Sequence, residues 1–347
     1  YRYTLDQVLA EAAHAADGLT REFHIVGGLD MEAGLAYYQE MFRALKANFP
    51  HVHIKALTAV EIAHIARIEK MAWADVLSAL REAGLDTMPG GGAETFSAAV
   101  REQIAHKKLA GADYIGVHRA AHQLGIRSNC TMLYGHVETL EDRAAHLQML
   151  RNLQDETGGF LAYIPLAYHP DDNALGAELG RQGTATGGVD DLRMLAVGRL
   201  FLDNFRHVKS HWIMVTPFVS QVALHYGVND LEGTVVREKI YHAVGATTPQ
   251  GMTLDQVKAA KPLLEAANRR RAVLFITHDL EEAVALADRV VVMSAGPASR
   301  PVGDVEITLP RPRNVSEINM SDAFIRLYRE IWSILGTEVE KSHAVQH

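Results

Sequence analysis

The chain has 347 residues, a length that suits one large domain or two ordinary ones. Its hydrophobic share of 48% and charged share of 22% are typical of a globular protein, and a formal net charge of -8 without a long basic run argues against a nucleic acid partner. No apolar stretch approaches the roughly 20 residues of a spanning helix, and no secretory leader is visible, so we expect a cytoplasmic protein. The one cysteine, Cys130, excludes an internal disulfide and a cysteine-rich metal site.

Short apolar runs alternate with longer amphipathic ones over about the first 220 residues, a pattern typical of repeated β/α units. Strands are predicted at residues 23–26, 52–57, 86–88, 129–134, 160–165 and 211–215. Helices with a period near 3.6 are predicted at about residues 4–17, 33–48, 59–67, 73–83, 113–124, 139–155 and 188–205. Such units close most simply into a parallel β/α barrel, with a doubly wound open sheet as the alternative.

Glycine and polar residues follow the carboxyl ends of the predicted strands. In a barrel these ends form the face that carries the active site. The residues at these positions are Gly27, Gly28, Thr58, Gly90–Gly92, Gly135, His136, His169 and Pro170. Together they predict a ligand-binding mouth.

Two glycine segments have both a structural and a functional interpretation. Gly27 and Gly28 let the backbone approach a ligand closely, but they also suit a tight βα turn. The three glycines at Gly90–Gly92 suit a wide bend past a bulky ligand or a flexible surface loop. Glu94, at the end of that loop, could accept hydrogen bonds from a ribose or act as a base.

The segment from Tyr134 to Thr139 runs from a strand into the start of a helix. Glu138 could bind a ligand or merely favour the helix dipole. Tyr134 and His136 flank Gly135 at the end of this strand.

His169 and Lys55 are unusual in their settings. His169 ends a segment stiffened by two prolines, at the predicted mouth. Lys55 lies inside an apolar strand, where lysine is seldom buried without a partner. It could receive a substrate carboxylate, or pair with Glu61 or Glu94.

The character of the chain changes near residues 255–272, and we place a boundary near residue 260. The predicted organisation is a first domain at 1–257, a junction at 258–271 and a second domain at 272–347. In the second domain we predict strands at 272–277, 289–293 and 304–309, with helices at 279–288 and 321–335.

The motifs at the predicted mouth together resemble the radical-SAM enzymes of the futalosine pathway to menaquinone. The segments that carry this resemblance are His24–Gly28, Ile54–Ile62, Pro89–Glu94, Thr131–Thr139 and Gln154–Phe160. Later segments, at residues 190–197, 202–205, 223–227 and 233–246, favour aminofutalosine synthase over the similar dehypoxanthine futalosine cyclase. The resemblance covers about residues 1–255.

This resemblance implies a partial β/α barrel of the radical-SAM type, whose first strand leads into a Cys-x3-Cys-x2-Cys loop that holds a [4Fe–4S] cluster. It also implies that an electron donor reduces this cluster, which cleaves S-adenosylmethionine to a 5′-deoxyadenosyl radical. That radical adds to 3-[(1-carboxyvinyl)oxy]benzoate, and rearrangement and decarboxylation give aminofutalosine. The cofactors carry the difficult chemistry, while the protein orients the reactants and excludes water.

The same resemblance implies roles for individual residues. Gly27 and Gly28 match the segment for the methionine end of the cofactor. The motif near the adenosine is matched by Tyr134, Gly135, His136 and Glu138. We therefore expect these six residues to bind the cofactor or lie beside it, with Glu94, His136 and His169 as candidate catalytic residues and Lys55 and Thr58 as candidate substrate contacts.

Two departures from the family pattern count against activity. Asp30 and Met31 follow Leu29, where the family usually continues with His-Pro. The three cluster cysteines are absent from the sequence, and Cys130 cannot replace them because a cluster of this type takes three thiolates from the protein. We expect no metal ligands and no catalysis from these 347 residues alone.

The C-terminal segment resembles a different family. Val273–Ala283 and Ala287–Ser294 are similar to the switch-histidine region of ABC ATPases, and Arg326–Trp332 is similar to the nitrate/sulfonate/taurine importer branch. This resemblance implies that His278 matches the histidine that contacts the γ-phosphate.

No phosphate-binding Gly-x4-Gly-Lys-[Ser/Thr] motif accompanies this histidine, so we interpret it as a remnant without a nucleotide. The second domain is then a small α/β fragment of an ABC ATPase. The alternatives to a synthase are the ATP-binding subunit of an importer, with a membrane permease as partner, and a non-catalytic fusion of two gene fragments.

Overall fold

The computed structural model describes residues 2–106, 108–180, 186–235, 241–242, 248–249, 251–253, 255–257, 280–294, 299–310 and 321–345. The chain divides into two compact units, residues 1–269 and 270–347. Most of the predicted junction at 258–271 lies outside the described residues, and the domain limits given above stay a prediction.

The first unit is built on a seven-stranded sheet in which every strand is parallel to its neighbours. The strands follow one another in chain order: β1 Glu22–Ile25, β2 His53–Ala56, β3 Thr87–Met88, β4 Arg127–Tyr134, β5 Phe160–Ala167, β6 His207–Ser210 and β7 Asp230–Leu231. This order is that of a partial β/α barrel, and it confirms the parallel barrel prediction over the doubly wound alternative. In the described part of the chain, β1 and β7 form the two edges of the sheet.

In the described part of the first unit, one helix precedes β1 and the others lie between successive strands. They are α1 Leu5–Ala15, α2 Leu35–Asn48, α3 Ala59–Glu69, α4 Trp73–Ala83, α5 Ala98–Ile104, α6 Gly111–Gln123, α7 Leu140–Thr157, α8 Ala174–Glu178, α9 Gly188–Phe201, α10 Trp212–Val215 and α11 Pro217–Ala223. Thr58 and Thr139 begin α3 and α7 with reciprocal capping boxes, in which each threonine side chain and a carboxylate three residues later satisfy free backbone N–H groups. All the helices predicted for this unit are confirmed.

The alternation of side chains along the strands separates an apolar outer face from a polar inner face. In β2, Ile54 and Ala56 are buried in the main core, so Lys55 between them points to the opposite face. In β6, Val208 is buried in the same core and Lys209 follows it. Alternation places further polar residues on this inner face, namely Glu22, His24, His211, Asp230 and Glu232. The inner face of the sheet therefore carries these charged and polar side chains rather than apolar ones.

The predicted strand at residues 211–215 is wrong. The sixth strand is His207–Ser210, and Trp212–Val215 forms the short helix α10. Trp212 and Ile213 are buried in a small apolar cluster with Tyr241. A short apolar run is compatible with a strand or with a buried helical turn, and periodicity alone does not distinguish them.

The second unit has its own core around a two-stranded antiparallel sheet. Its elements are α12 Leu280–Leu286, β8 Arg289–Met293, β9 Pro301–Glu306 and α13 Asp322–Val345. Val284, Val292, Val305, Phe324 and Ile331 are buried together. The four elements predicted for these residues are confirmed, β9 with a shift of its bounds, whereas the predicted strand at 272–277 and His278 lie outside the described residues. No helix among the described residues is both long and apolar enough to cross a membrane.

Candidate functional site

Glu61 joins the ends of the first two strands. Its Oε1 accepts a hydrogen bond of 2.8 Å from the backbone N–H of Gly27, and its Oε2 accepts bonds of 2.7 and 2.8 Å from the backbone and the hydroxyl of Thr58. Burial raises the pKa of Glu61. The hydroxyl of Thr58 is thus used to begin α3, while a side chain at Gly28 would meet open space. Gly28 is therefore the position in this turn where a ligand can approach the backbone.

Glu138 holds the loop that follows β4. It accepts hydrogen bonds from the backbone N–H groups of Gly135 at 2.5 Å and His136 at 2.9 Å, and Arg143 donates to it from Nε at 2.9 Å and Nη2 at 2.6 Å. Its side chain is only 1% exposed. Gly135 has a φ of 89°, in the left-handed region that favours glycine. Glu138 therefore fixes the conformation of this loop.

His136 points into the protein rather than into the mouth. Its ring is buried, with Nε2 3.1 Å from the carbonyl oxygen of Leu133, and the backbone N–H of Val137 donates to Nδ1 at 2.8 Å. Burial lowers the pKa of His136, although Glu138 partly opposes this. The neutral imidazole is therefore positioned by the loop backbone.

Tyr134 connects β4 to α9. Its hydroxyl donates a hydrogen bond of 2.7 Å to Oδ1 of Asp191, and both side chains are buried. Burial raises the pKa of Asp191. A cavity of about 120 Å³ lies beside this carboxyl group, against Gly187 and Gly188 at the start of α9. Sequence reasoning missed Asp191, because it singled out no single residue of the matched segment 190–197.

The glycine loop before Glu94 packs closely against its neighbours. A Cβ on Gly90 would lie 2.6 Å from the Cα of Cys130, and Gly92 has a φ of 86°. Glu94 has a φ of 47°, and its Oε1 forms an ion pair of 2.5 Å with Nζ of Lys108. Backbone contact with β4 is thus sufficient to explain Gly90, and the carboxylate of Glu94 already has a cation beside it.

His169 lies just after β5 and is buried. Its ring meets the ring of Tyr241 edge-on, with the centroids 5.2 Å apart. Nδ1 of His169 is 3.9 Å from Oδ2 of Asp171 and has no hydrogen-bond partner among the described residues. His136 and His169 are thus both enclosed by protein, on the loops after neighbouring strands.

Lys55 donates a hydrogen bond of 2.8 Å to Oε1 of Glu22 on the adjacent strand. The predicted pairing of Lys55 with Glu61 or Glu94 is wrong, because Glu61 is bound to backbone N–H groups and Glu94 to Lys108. The side chain of Lys55 is 10% exposed and that of Glu22 is 38% exposed, so the pair is partly shielded from solvent. The inner face of the sheet, not the helix starts, supplies the partner.

A second lysine on the inner face escaped the sequence analysis. Nζ of Lys209 lies 3.5 Å from Oδ2 of Asp230 and 3.8 Å from Oε2 of Glu232. Burial alone would lower the pKa of Lys209, but the charges of Glu232, Asp230 and Glu22 outweigh it and raise this pKa. The signal was present in the alternation of charged and apolar residues at 207–210, four residues before the strand that was predicted.

The charges of four strands act on one another across the inner face. Burial opposes ionisation of Glu232, but Lys209, His211, His24 and Lys55 outweigh it and lower the pKa of Glu232. Burial lowers the pKa of His24, and Lys55 adds to this effect. We call Glu22, His24, Lys55, Lys209, His211, Asp230 and Glu232 the inner-face cluster. Its two lysines and three carboxylates give the inner face of the sheet both positive and negative charge.

The cluster cofactor implied by the resemblance does not fit the residues of this chain. Cys130 lies in β4 with its side chain buried, and its Sγ faces the carbonyl oxygen of Ala162 at 3.7 Å. Burial raises the pKa of this thiol well above its usual value, which disfavours the thiolate that binds iron. Over the described ranges, no group of histidine, cysteine and carboxylate side chains is arranged to hold a metal ion. Gly28, in contrast, leaves open space beside the backbone that follows β1, where S-adenosylmethionine can approach.

Two protein-family models match most of the first unit. The Radical SAM superfamily matches residues 1–150, and the CofH/MqnC C-terminal region matches residues 157–267. Both matches end before the segment that resembles ABC ATPases, so that resemblance stays a prediction.

Curated relatives and a solved structure agree with these models. Aminodeoxyfutalosine synthase of Thermus thermophilus is 50% identical over 251 residues, which cover 72% of this chain and 67% of that protein. The 5-amino-6-(D-ribitylamino)uracil–L-tyrosine 4-hydroxyphenyl transferase 1 of Methanosarcina acetivorans is 37% identical, covering 74% of this chain and 68% of that protein. The crystal structure of methylornithine synthase matches with a TM-score of 0.57 at 14% identity. This match covers 79% of this chain and 75% of the methylornithine synthase chain, and it shows the fold alone.

The chain therefore has the parallel strand order, the polar inner face and the strand-end motifs described above. Two family models match it, and it shares half its aligned residues with a synthase. S-adenosylmethionine and a [4Fe–4S] cluster are the cofactors of this superfamily. The chain belongs to the radical SAM superfamily, as an aminodeoxyfutalosine synthase-like enzyme of the futalosine pathway to menaquinone.

Proposed function

We propose that the first unit binds 3-[(1-carboxyvinyl)oxy]benzoate, the substrate of aminofutalosine synthase, on the inner face of its barrel. The observation that carries this proposal is the inner-face cluster, which places the buried Lys55 and the largely buried Lys209 on the inner face of a chain that is 50% identical to a synthase over 251 residues. A substrate with two carboxylates needs cations where water is scarce, since a buried anion without a partner is costly.

The strand ends supply the binding surface for S-adenosylmethionine in this proposal. Gly27 and Gly28 hold its methionine end, and Tyr134 with the loop Gly135–Glu138 lies beside its adenosine. Glu138, fully used by hydrogen bonds, acts by keeping the loop rigid. Rigid support of this kind holds reacting groups in place and excludes water.

Glu94, His136 and His169 stay proposals as catalytic residues. Glu94 forms an ion pair with Lys108, and a carboxylate in this place can accept a proton or a hydroxyl hydrogen bond. His169 is buried just after β5, and its Nδ1 has no hydrogen-bond partner in the described part of the molecule. His136 is held through both of its ring nitrogens and is suited to positioning the loop. Thr58 keeps its place beside Gly91, where it shapes the mouth.

We further propose that these 347 residues cannot reduce S-adenosylmethionine by themselves. The single buried thiol of Cys130 does not meet the need of a [4Fe–4S] cluster for three thiolates. An electron donor, which the family requires, would then have no cluster to reduce in this chain.

The experiment is anaerobic reconstitution of the full chain with iron and sulfide, followed by two separate measurements. The first is iron content and formation of 5′-deoxyadenosine with dithionite and S-adenosylmethionine, and we expect neither above background. The second is calorimetric binding of 3-(carboxymethoxy)benzoate, a stable analogue of the substrate, and here we expect binding. About four irons per chain with 5′-deoxyadenosine release would contradict the proposed inactivity, and absence of analogue binding would contradict the proposed substrate.

For the second unit, we propose a remnant related to ABC ATPases that does not bind nucleotide. Support comes from the resemblance around His278 and from the order of helix, hairpin and helix that follows it. The unit offers no phosphate-binding motif in the sequence. Titration of the full chain with a fluorescent ATP analogue and Mg²⁺ tests this, and micromolar binding would favour the importer subunit instead.

A further inference from the structure

The two lysines of the inner face are paired with carboxylates in different ways. Nζ of Lys55 is 2.8 Å from Oε1 of Glu22, a normal hydrogen-bond length. Nζ of Lys209 is 3.5 Å from Asp230 and 3.8 Å from Glu232, which are ion-pair distances longer than a normal N–H···O bond. Lys209 is therefore held by charge, whereas Lys55 is held by a short directed contact.

We propose that Lys209 is the residue that receives a carboxylate of the substrate, an inference that rests on the proposed function. An ammonium group has three N–H donors, and short hydrogen bonds to an incoming carboxylate can form at Lys209 without breaking an existing short one. Lys55 would first have to leave Glu22. Binding a carboxylate at Lys209 therefore costs less free energy than binding one at Lys55.

The surroundings of Lys209 strengthen such a contact. Its side chain is 13% exposed, and Coulomb attraction is stronger away from bulk water. Lys209 lies one residue before the end of β6, below the strand ends where the cofactor is proposed to bind. A carboxylate bound there would fix one end of the substrate and direct the rest of it toward the mouth. Lys209 is thus a specificity and positioning residue.

Asp230 and Glu232 each have two opposing effects on this site. Asp230 and Glu232 keep Lys209 charged, but they also repel an incoming carboxylate. Asp230 pairs with Lys209 in the strand register and is the nearer of the two. Removing its charge should free Lys209 for the ligand, so Asp230→Asn should tighten binding.

The test measures calorimetric binding of 3-(carboxymethoxy)benzoate to the full chain, which requires no cluster. We expect Lys209→Met to weaken binding by about 10- to 100-fold, and Lys209→Arg to keep it within about fivefold. Asp230→Asn should lower the Kd several-fold. Lys46→Met is the matched control, because Lys46 forms a half-buried ion pair with Asp86 away from the inner face. Circular dichroism verifies that each variant is folded.

The two half-esters of the probe give a second, independent readout. If Lys209 binds one carboxylate directly, esterifying that carboxylate removes the same contact as Lys209→Met does. The variant should then bind that half-ester as well as the wild type does, and bind the other half-ester more weakly. Such a cycle isolates the pairwise contact from general effects on charge or stability.

The outcomes separate this inference from the proposed function. Unchanged binding of the diacid to Lys209→Met, or an equal loss for both half-esters, overturns the role of Lys209 while the proposed substrate stands. No binding of the diacid to the wild type overturns the proposed substrate, and the role of Lys209 with it. Rescue by arginine together with selective loss for one half-ester supports both.

Discussion

Tyr134 donates a hydrogen bond of 2.7 Å to Asp191, and this buried contact joins the end of the fourth strand to the helix that follows the fifth. The contact sits beside a cavity at the strand ends. It therefore stabilises the fold and shapes the surface at which we propose that the adenosine binds.

Removing the hydroxyl of this pair should be costly. Tyr134→Phe leaves a buried carboxyl group without one of its donors, and we expect a loss of about 1–3 kcal/mol in the free energy of unfolding. Tyr163→Phe is the matched control, because the hydroxyl of this equally buried tyrosine contacts only the Sδ of Met132, at 4.0 Å, in the described structure. Urea denaturation followed by tryptophan fluorescence measures both. Equal losses for the two variants would contradict the importance of the contact.

Glu138 should be essential for the loop after β4. Its carboxylate accepts from two backbone N–H groups and from Arg143, so Glu138→Gln places an NH₂ group against donors. We expect a loss of about 2–4 kcal/mol, because a buried charge loses its partner. The control is Glu141→Gln, at an exposed position in α7, the helix that follows this loop, and it should change stability by less than about 0.5 kcal/mol. Thermal unfolding of each variant compares them. A similar decrease in Tm for both would contradict the role of Glu138 in fixing the loop.

The two glycine segments at the mouth should respond differently to alanine. A Cβ on Gly90 would lie 2.6 Å from Cys130, so Gly90→Ala should cost about 2–3 kcal/mol through overpacking. Gly28 faces open space, and Gly28→Ala should leave stability within about 1 kcal/mol while weakening the binding of S-adenosylmethionine. Denaturation and equilibrium dialysis measure the two effects. A stable Gly90→Ala variant would show that the loop can move away from β4.

Two buried histidines and one half-buried histidine should make the first unit sensitive to acid. Burial lowers the pKa of His118 to about 3, that of His122 to about 4 and that of His146 to about 3. In the unfolded chain these groups titrate near 6.5, so below about pH 6.5 the unfolded state binds more protons. The contribution of these neutral rings to the free energy of unfolding is therefore fully present above about pH 6.5. It falls as the pH decreases toward about 4, and at pH 5.5 about 1.4 kcal/mol per histidine has been lost.

One variant can isolate this effect. His122→Gln can keep a polar contact with Ser128 and Thr157, but it removes one titrating group. The loss of stability on going from about pH 6.5 to about pH 5.5 should therefore become smaller by the contribution of one histidine, about 1 kcal/mol. His51→Gln, at an exposed position, is the control and should leave the slope unchanged. Urea denaturation at several pH values gives the slope. A wild-type slope near zero would contradict the neutral state of these rings.

Local patterns were sufficient to predict most of the helices and their placement between parallel strands. The helix at 73–83 was predicted with the bounds it has in the structure, because apolar residues at helical spacing bury one face whatever they pack against. The capping box of Thr58 and Glu61 likewise depends on residues three apart. The strand-end motifs, read as a group, identified the family.

The partners of buried charges were decided only by the tertiary structure. Lys55 was assigned the wrong carboxylates because its true partner, Glu22, lies on a neighbouring strand 33 residues away. Lys209 and Glu232 were missed because β6 begins earlier than predicted and β7 is two residues long. A short strand carries too little periodicity to be detected, and only hydrogen bonding to its neighbour defines it. The sequence by itself thus determined the fold class and family, whereas strand register determined which charges share the inner face.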